Sequence, residues 1–247
     1  MNLRKGALVL SNALQPFPRL HAPARRVYCI FNPGARFHIE RTFKQHKTVF
    51  VLKIGANDGL ESDPIGDIML SDSRYRGILV EPIPAYARML AANVDPCGRF
   101  TIEQVAITSI SGTVKMFYVT EDEGALDGRT FPSWLRGIAS LDRSHVLKHL
   151  PPDMASLIVE TSVECVSVPD LLARNKVHQV DLLHIDAEGH DYVILNQFDF
   201  TAFRPQIVLF EHKHLHSKEK HAAESLLKCH GYDVKHLETD YLCLARS

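Results

Sequence analysis

The sequence predicts an α/β fold with a mostly parallel, doubly wound sheet, and three observations carry that expectation. From residue 48 onward, short apolar and β-branched runs alternate with segments of helical composition. Most of these runs stop at a glycine turn, a proline or an acidic residue, as buried strands do when their carboxyl ends face a ligand. The last two runs, 232–237 and 241–245, flank Glu238-Thr239-Asp240 and predict a terminal antiparallel pair.

Taken in order, the elements follow from local chemistry. Residues 1–46 scatter Pro16, Pro18, Pro23 and Pro33 among basic residues, so an N-terminal extension with short, broken structure is expected there. The run 49–54 is the first strand, 65–70 a short helix, and 77–81 the second strand, stopped by Pro82 and Pro84. Those prolines suit the start of the helix expected over 85–93. A third strand is expected over 100–107, with 114–119 as its hairpin partner beyond Gly112. The stretch 120–160 is an insert rich in Gly, Asp, Arg and Pro that holds the single Trp134; a substrate lid and a purely structural insertion both fit. Strands resume over 161–168, 180–186 and 205–212, with helices opening at Val168 and over 191–198 and 218–229. The domain proper is thus expected over 47–247.

Bulk properties narrow the function. A net charge of -1 and the lack of a long basic block speak against a nucleic-acid partner and favour a small-molecule or glycan substrate. No run approaches the ~20 apolar residues of a membrane span, so no membrane partner is expected. Arg4 and Lys5 precede an apolar stretch that Ser11 and Asn12 interrupt, a poor secretory signal, and a cytoplasmic location is expected. The five cysteines are far apart and form no CxxC pair, which predicts ordinary thiols. A homodimer is the assembly considered.

Ligands of doubly wound sheets sit at the carboxyl ends of strands, so the residues ending each run carry the chemistry. The first strand ends in Gly55-Ala56-Asn57-Asp58-Gly59, where glycine lets backbone approach a ligand closely. The second ends in Glu81, about 20 residues beyond the loop, where a carboxylate can bind the two ribose hydroxyls of a nucleoside. A pyrophosphate would want GxGxxG without a carboxylate, whereas Asp58 is tolerated beside a zwitterionic amino acid and a sulfonium. S-adenosylmethionine therefore fits better than a nicotinamide dinucleotide. The plainer readings are that Asp58 caps the loop and that Glu81 is a solvated carboxylate.

The segments 51–59, 77–82 and Asp181-Leu182-Leu183-His184-Ile185-Asp186-Ala187-Glu188-Gly189-His190-Asp191 together resemble the FkbM family of methyltransferases over about residues 48–245. The resemblance implies a Rossmann-like class I methyltransferase fold, a seven-stranded sheet and S-adenosylmethionine as cofactor. It further implies that Gly55, Asn57 and Asp58 surround the methionine portion, Glu81 the ribose, and Gln104 with Val105 the adenine edge, with Asp186 near the methyl group and Ala56 among the cofactor-binding residues. Characterised members commonly methylate hydroxyl oxygens of sugars and polyketide-type products. Lys53 and the pair His190-Asp191 depart from the family's usual pattern.

Methyl transfer to an alcohol needs positioning and a group that takes the proton. Asp186, Glu188, His190 and Asp191 follow one strand, and Glu211 and His212 end the next, so adjacent strand ends can assemble such a group. Asp186, Glu188 and His212 are the expected catalytic residues. An alternative places a divalent cation on Asp186, Glu188 and Glu211 to activate the acceptor. Because the spacing defines no ligand set, no metal centre is predicted. His212, His214 and His216 would share one face of an extended strand and so invite a metal reading, but a solvated loop past a strand end is the expected explanation. Phe131, Trp134 and Arg136 are candidates for an acceptor wall, or for a satellite core beneath the insert. An N-methyltransferase on an amino sugar or peptide, and a catalytically silent cofactor-binding scaffold, are the competing functions.

Overall fold

The computed structural model describes residues 34–60, 63–94, 98–128 and 130–246. The chain divides into two compact units, Met1–Gln45 and His46–Ser247. In the first, α1 (Ala35–Thr42) carries an Arg36–Glu40 ion pair one turn apart. The expectations for residues 1–33 lie outside the described residues.

In the second unit a seven-stranded sheet is built from β1 (Val49–Ile54), β2 (Tyr75–Val80), β3 (Phe100–Glu103), β7 (Leu182–Ile185), β8 (Ile207–Glu211), β9 (Tyr232–His236) and β10 (Asp240–Ala245). Its order is β3-β2-β1-β7-β8-β10-β9. The strands from β3 to β8 pair in parallel, and β10 runs antiparallel between β8 and β9. This is the Rossmann-like class I methyltransferase fold with its C-terminal antiparallel pair. The topological switch lies at β1, flanked by β2 and β7, which opens a crevice at their carboxyl ends.

Helices cover the sheet by their apolar stripes. In α3 (Pro84–Val94) the buried residues Tyr86, Ala87, Leu90 and Val94 recur at helical spacing, and Pro84 opens the first turn. The helix α8 (Ser217–Cys229) starts in a capping box between His216 and Glu219 and buries Ala223 and Leu227. Shorter helices are α2 (Gly66–Ser71), α6 (Val168–Arg174) and α7 (Asp191–Leu195). Leu52, Ile54, Val80, Leu183, Ile185, Val208 and Phe210 from the central strands anchor the main core. No helix among the described residues is long and apolar enough to cross a membrane. Cys165, Cys229 and Cys243 are free thiols, and Cys29 and Cys97 lie outside the described residues.

One strand expectation is corrected. The run 100–107 does not form a single strand: it breaks at residues 104–105, leaving β3 in the main sheet and β4 (Ala106–Ile107) in a second one. Nor is 114–119 its hairpin partner. That segment belongs to β5 (Gly112–Val119), which pairs antiparallel with β6 (Ile158–Val166), while β4 runs parallel to the other end of β6. Local alternation marked the strands but could not name partners separated by the insert.

The insert leaves and re-enters the second sheet at one point, because Val119 is paired with Ile158. Its ends are thus already closed by strand pairing, and loop length itself costs little. Between them lie α4 (Glu123–Leu126), a 3-10 turn (Ser133–Ile138), α5 (Arg143–His149) and a second 3-10 turn (Pro152–Leu157). Leu126, Leu135, Ile138, Val146, Leu150, Met154 and Leu157 make a small core of their own with Val119.

Candidate active site

The loop after β1 is held by backbone. Gly55 and Ala56 both donate to the Val80 carbonyl, at 3.0 and 2.9 Å, and Asp186 N–H donates to the Ile54 carbonyl at 2.9 Å. Gly55 sits at φ +81°, and a Cβ there would lie 1.7 Å from the Asp186 carbonyl oxygen, so only glycine lets the two strand ends approach. Glu81 then ties the loop to β2: its carboxylate accepts from Asn57 N–H at 2.9 Å and Ile83 N–H at 2.8 Å. Burial nevertheless pushes Glu81 up to about 7, against the pull of those two amides and of Lys53. Asn57 takes a left-handed φ of +49°, and its Oδ1 is buried without a hydrogen-bond partner among the described residues.

Two cavities open on either side of this loop. The narrower, 110 Å³, is walled by Glu81, Val105, Ala106, Ile107, Met116 and His190. The wider, 550 Å³, is walled by Lys53, Asp63, Trp134, His149, Glu211 and His214. Gly55, Asn57, Gly137, Asp186 and Glu188 line both, so the cavities meet where β1 and β7 end.

That meeting point is shaped by the turn after β7. Asp191 is fully buried and accepts from Ala187 N–H at 3.2 Å and Gly189 N–H at 3.1 Å. The turn holds Glu188 at φ +49° and Gly189 at φ +96°. A non-glycine residue in this region is strained, and Asp191 supplies the bonds that keep it there. Burial pushes Asp186 up to about 7 and Asp191 to about 8. Glu211, half-buried and facing Asp186 and Glu188, is pushed to about 9 by desolvation and those charges.

Behind the wider cavity Lys53 is 2% exposed. Its ammonium lies 3.2 Å from Asp63 and 2.9 Å from His184 Nδ1. Burial and the neighbouring Lys53 charge hold His184 well below the usual imidazole range. Over the cavity, Glu188 Oε2 lies 3.3 Å from His145 Nε2 and 3.4 Å from His214 Nε2, and Glu211 lies 3.8 Å from His214.

The profile of the methyltransferase FkbM domain matches residues 53–234. The chain belongs to the FkbM methyltransferase family. S-adenosylmethionine use is implied by the family, and the residues present fit such a group: a buried carboxylate in Glu81, a close backbone approach at Gly55 and an Asn57 amide oxygen without a partner among the described residues. Comparison with curated proteins finds no match. Among solved structures, a methyltransferase FkbM from Methylobacillus flagellatus KT is similar at 10% identity and a TM-score of 0.44. The similarity covers 80% of this chain but 43% of that one, so this chain spans less than half of its length. A precorrin-6y C5,15-methyltransferase from Geobacter metallireducens GS-15 is similar at 13% identity and a TM-score of 0.40, covering 85% of this chain and 87% of the other. A precorrin 8w decarboxylase from Methanobacterium thermoautotrophicum is similar at 12% identity and a TM-score of 0.44, covering 87% and 93%.

Within this FkbM domain the residues named from sequence sort by distance from the cavities. Gly55, Asn57, Glu81, Val105, Asp186 and Glu188 line the narrower cavity, and Ala56 lines the wider one. Asp58 lines neither. Its carboxylate accepts from Leu60 N–H at 3.0 Å and lies 3.6 Å from Arg136, so it holds the loop. Gln104 is exposed outside the cavity, at the break where the chain passes from β3 to β4, and the wall expected of it is made by Ala106, Ile107 and Met116.

His212 also lies outside both cavities, its ring 4.3 Å from Tyr241. His212, His214 and His216 do not share a strand face, because the strand ends at Glu211 and the chain turns, with Leu215 N–H donating to the His212 carbonyl. His214 enters the wider cavity, and His216 caps α8. Of the aromatic insert residues, Trp134 lines the wider cavity at 50% exposure, Arg136 lines the narrower, and Phe131 packs on the insert's core. Sequence reading passed over His145 and His149. Their signal was present, since they stand four apart after the N-cap Asp142 and so share a helix face.

Proposed function

We propose that the chain is an S-adenosylmethionine-dependent O-methyltransferase whose acceptor is a hydroxyl of a sugar or small natural product. The observation that carries this reading is that a narrower cavity walled by Glu81 and apolar side chains and an adjoining, wider chamber meet at Asp186. Glu81 accepts the ribose hydroxyls. Gly55 and Asn57 hold the amino-acid end, and Val105, Ala106, Ile107 and Met116 give the base an apolar wall. The bound cofactor supplies a methyl group already activated by its sulfonium. Asp186 orients the acceptor hydroxyl and takes its proton, while Trp134 offers a ring face to a sugar or ring system.

The wider chamber contains both carboxylates and imidazoles and is not a basic groove, which supports a polar small acceptor over a polyanion. The test is methyl-labelled S-adenosylmethionine with a panel of sugars, glycosides and hydroxylated natural products, read by mass spectrometry of the product. Label on oxygen, lost in Asp186→Asn, is the expected result. Label found only on amine nitrogen would overturn the O-methyl reading.

A further inference from the structure

We infer that His145, His149, His214 and Glu188 form a binding site for one divalent ion of the zinc class. The inference goes beyond methyl transfer and does not depend on it. His145, His149 and His214 offer ligand atoms that all lie within 4.8 Å of one another. Their rings stand close, with centroids 4.6 Å apart for His145 and His149, 4.8 Å for His145 and His214, and 5.1 Å for His149 and His214.

Glu188 Oε2 faces two of these rings, at 3.3 Å from His145 Nε2 and 3.4 Å from His214 Nε2. Both distances are long for N–H···O hydrogen bonds, which prefer about 2.7–3.2 Å. They match the edge of a tetrahedron whose metal–ligand bonds are about 2.0–2.1 Å, roughly 3.3 Å. The ring of His149 is oriented as a ligand needs: its Nδ1 lies 2.9 Å from the His145 carbonyl, and donation there leaves Nε2 as the lone-pair nitrogen.

Three imidazoles and one carboxylate select a borderline divalent metal, because magnesium and calcium prefer all-oxygen shells. Glu211, 3.8 Å from His214 and with Oε2 buried and without a hydrogen-bond partner among the described residues, adds a second carboxylate beside the site. The ligands come from three separated segments: α5 in the insert, the turn after β7 and the turn after β8. The ion therefore ties the insert to the carboxyl edge of the main sheet and fixes one wall of the wider chamber, which His149, His214 and Glu188 line.

The test uses the full chain, stripped with chelator and titrated with Zn2+, with S-adenosylhomocysteine binding measured on the same stripped sample. One Zn2+ per chain is expected, with a rise in melting temperature and, for Co2+ in its place, the visible absorption of a tetrahedral centre. His145→Gln with His149→Gln should weaken Zn2+ binding by at least about 100-fold, the upper end of what lesser second-sphere changes cost. S-adenosylhomocysteine binding by that variant should stay within about 3-fold, which shows that it is folded. Zn2+ uptake no tighter in wild type than in the double variant would overturn the inference, as would a preference for Mg2+ over Zn2+. Because cofactor binding is read separately, failure of the metal site leaves the methyltransferase reading standing, and the converse also holds.

Discussion

The two cavities share a floor but differ in how they are built. Around the narrower one, loop geometry is set by main-chain N–H groups donating among neighbouring strand ends: Gly55 and Ala56 to the Val80 carbonyl, Asn57 to the Glu81 carboxylate, Asp186 to the Ile54 carbonyl. Around the wider one, side chains from distant segments meet, such as His145 and Glu188, 43 residues apart. A wall made of backbone tolerates almost no substitution at its glycines and is written in contiguous motifs. One made of distant side chains can change its specificity by single substitutions, which suits an acceptor site.

The difference can be broken at the shared floor first. Asp186→Asn should lower kcat by roughly 10²–10⁴-fold, the range for losing a positioned acid–base group, with S-adenosylhomocysteine affinity changed by only about 3-fold or less. Equal loss in kcat and cofactor affinity would place Asp186 on the cofactor side alone. Gly55→Ala should act on both cavities, because its Cβ meets the Asp186 carbonyl at 1.7 Å where φ is +81°. A stability loss of about 3 kcal/mol or more, seen as a lowered melting temperature, is expected with loss of cofactor binding.

The pH dependence of stability sharpens the cofactor side. Burial raises Glu81 from 4.5 to about 7, so its contribution is fully present below 4.5 and is lost as pH rises through about 7. The ligand-free protein should therefore lose melting temperature between about pH 4.5 and 7, with Glu81 accounting for on the order of 3 kcal/mol. Glu81→Gln should flatten that slope in a pH series of thermal melts. The smallest effect belongs to the acceptor side: Trp134→Ala should raise the acceptor KM by about 5- to 10-fold, as losing one stacking face does. Since Trp134 is half exposed, stability should move by less than about 0.5 kcal/mol.

This same division explains what the sequence made legible. The central strands and the helices between them were visible because burial imposes apolar runs and helical spacing on local sequence. That the loop at 55–57, Glu81 and the turn at Asp186 line one crevice was visible because each is a short motif at a strand end. The roles of Asp58 and Gln104 were not, since side-chain direction at a loop depends on partners such as Arg136 and on the break after β3. The direction of His212 and His214 was not legible either, since the run read as a strand through residue 212 stops at Glu211 and a turn re-aims the side chains beyond it. The histidine cluster needs α5 laid beside two strand-end turns, and no local pattern encodes that meeting.

The most direct test is calorimetric titration of S-adenosylhomocysteine into the purified wild-type chain and into Glu81→Ala. Binding at one site per wild-type chain, weakened on the order of 100-fold when the ribose carboxylate is removed, is the predicted result. An absence of wild-type binding, or equal affinity in the variant, would contradict a cofactor site at the carboxyl ends of β1 and β2.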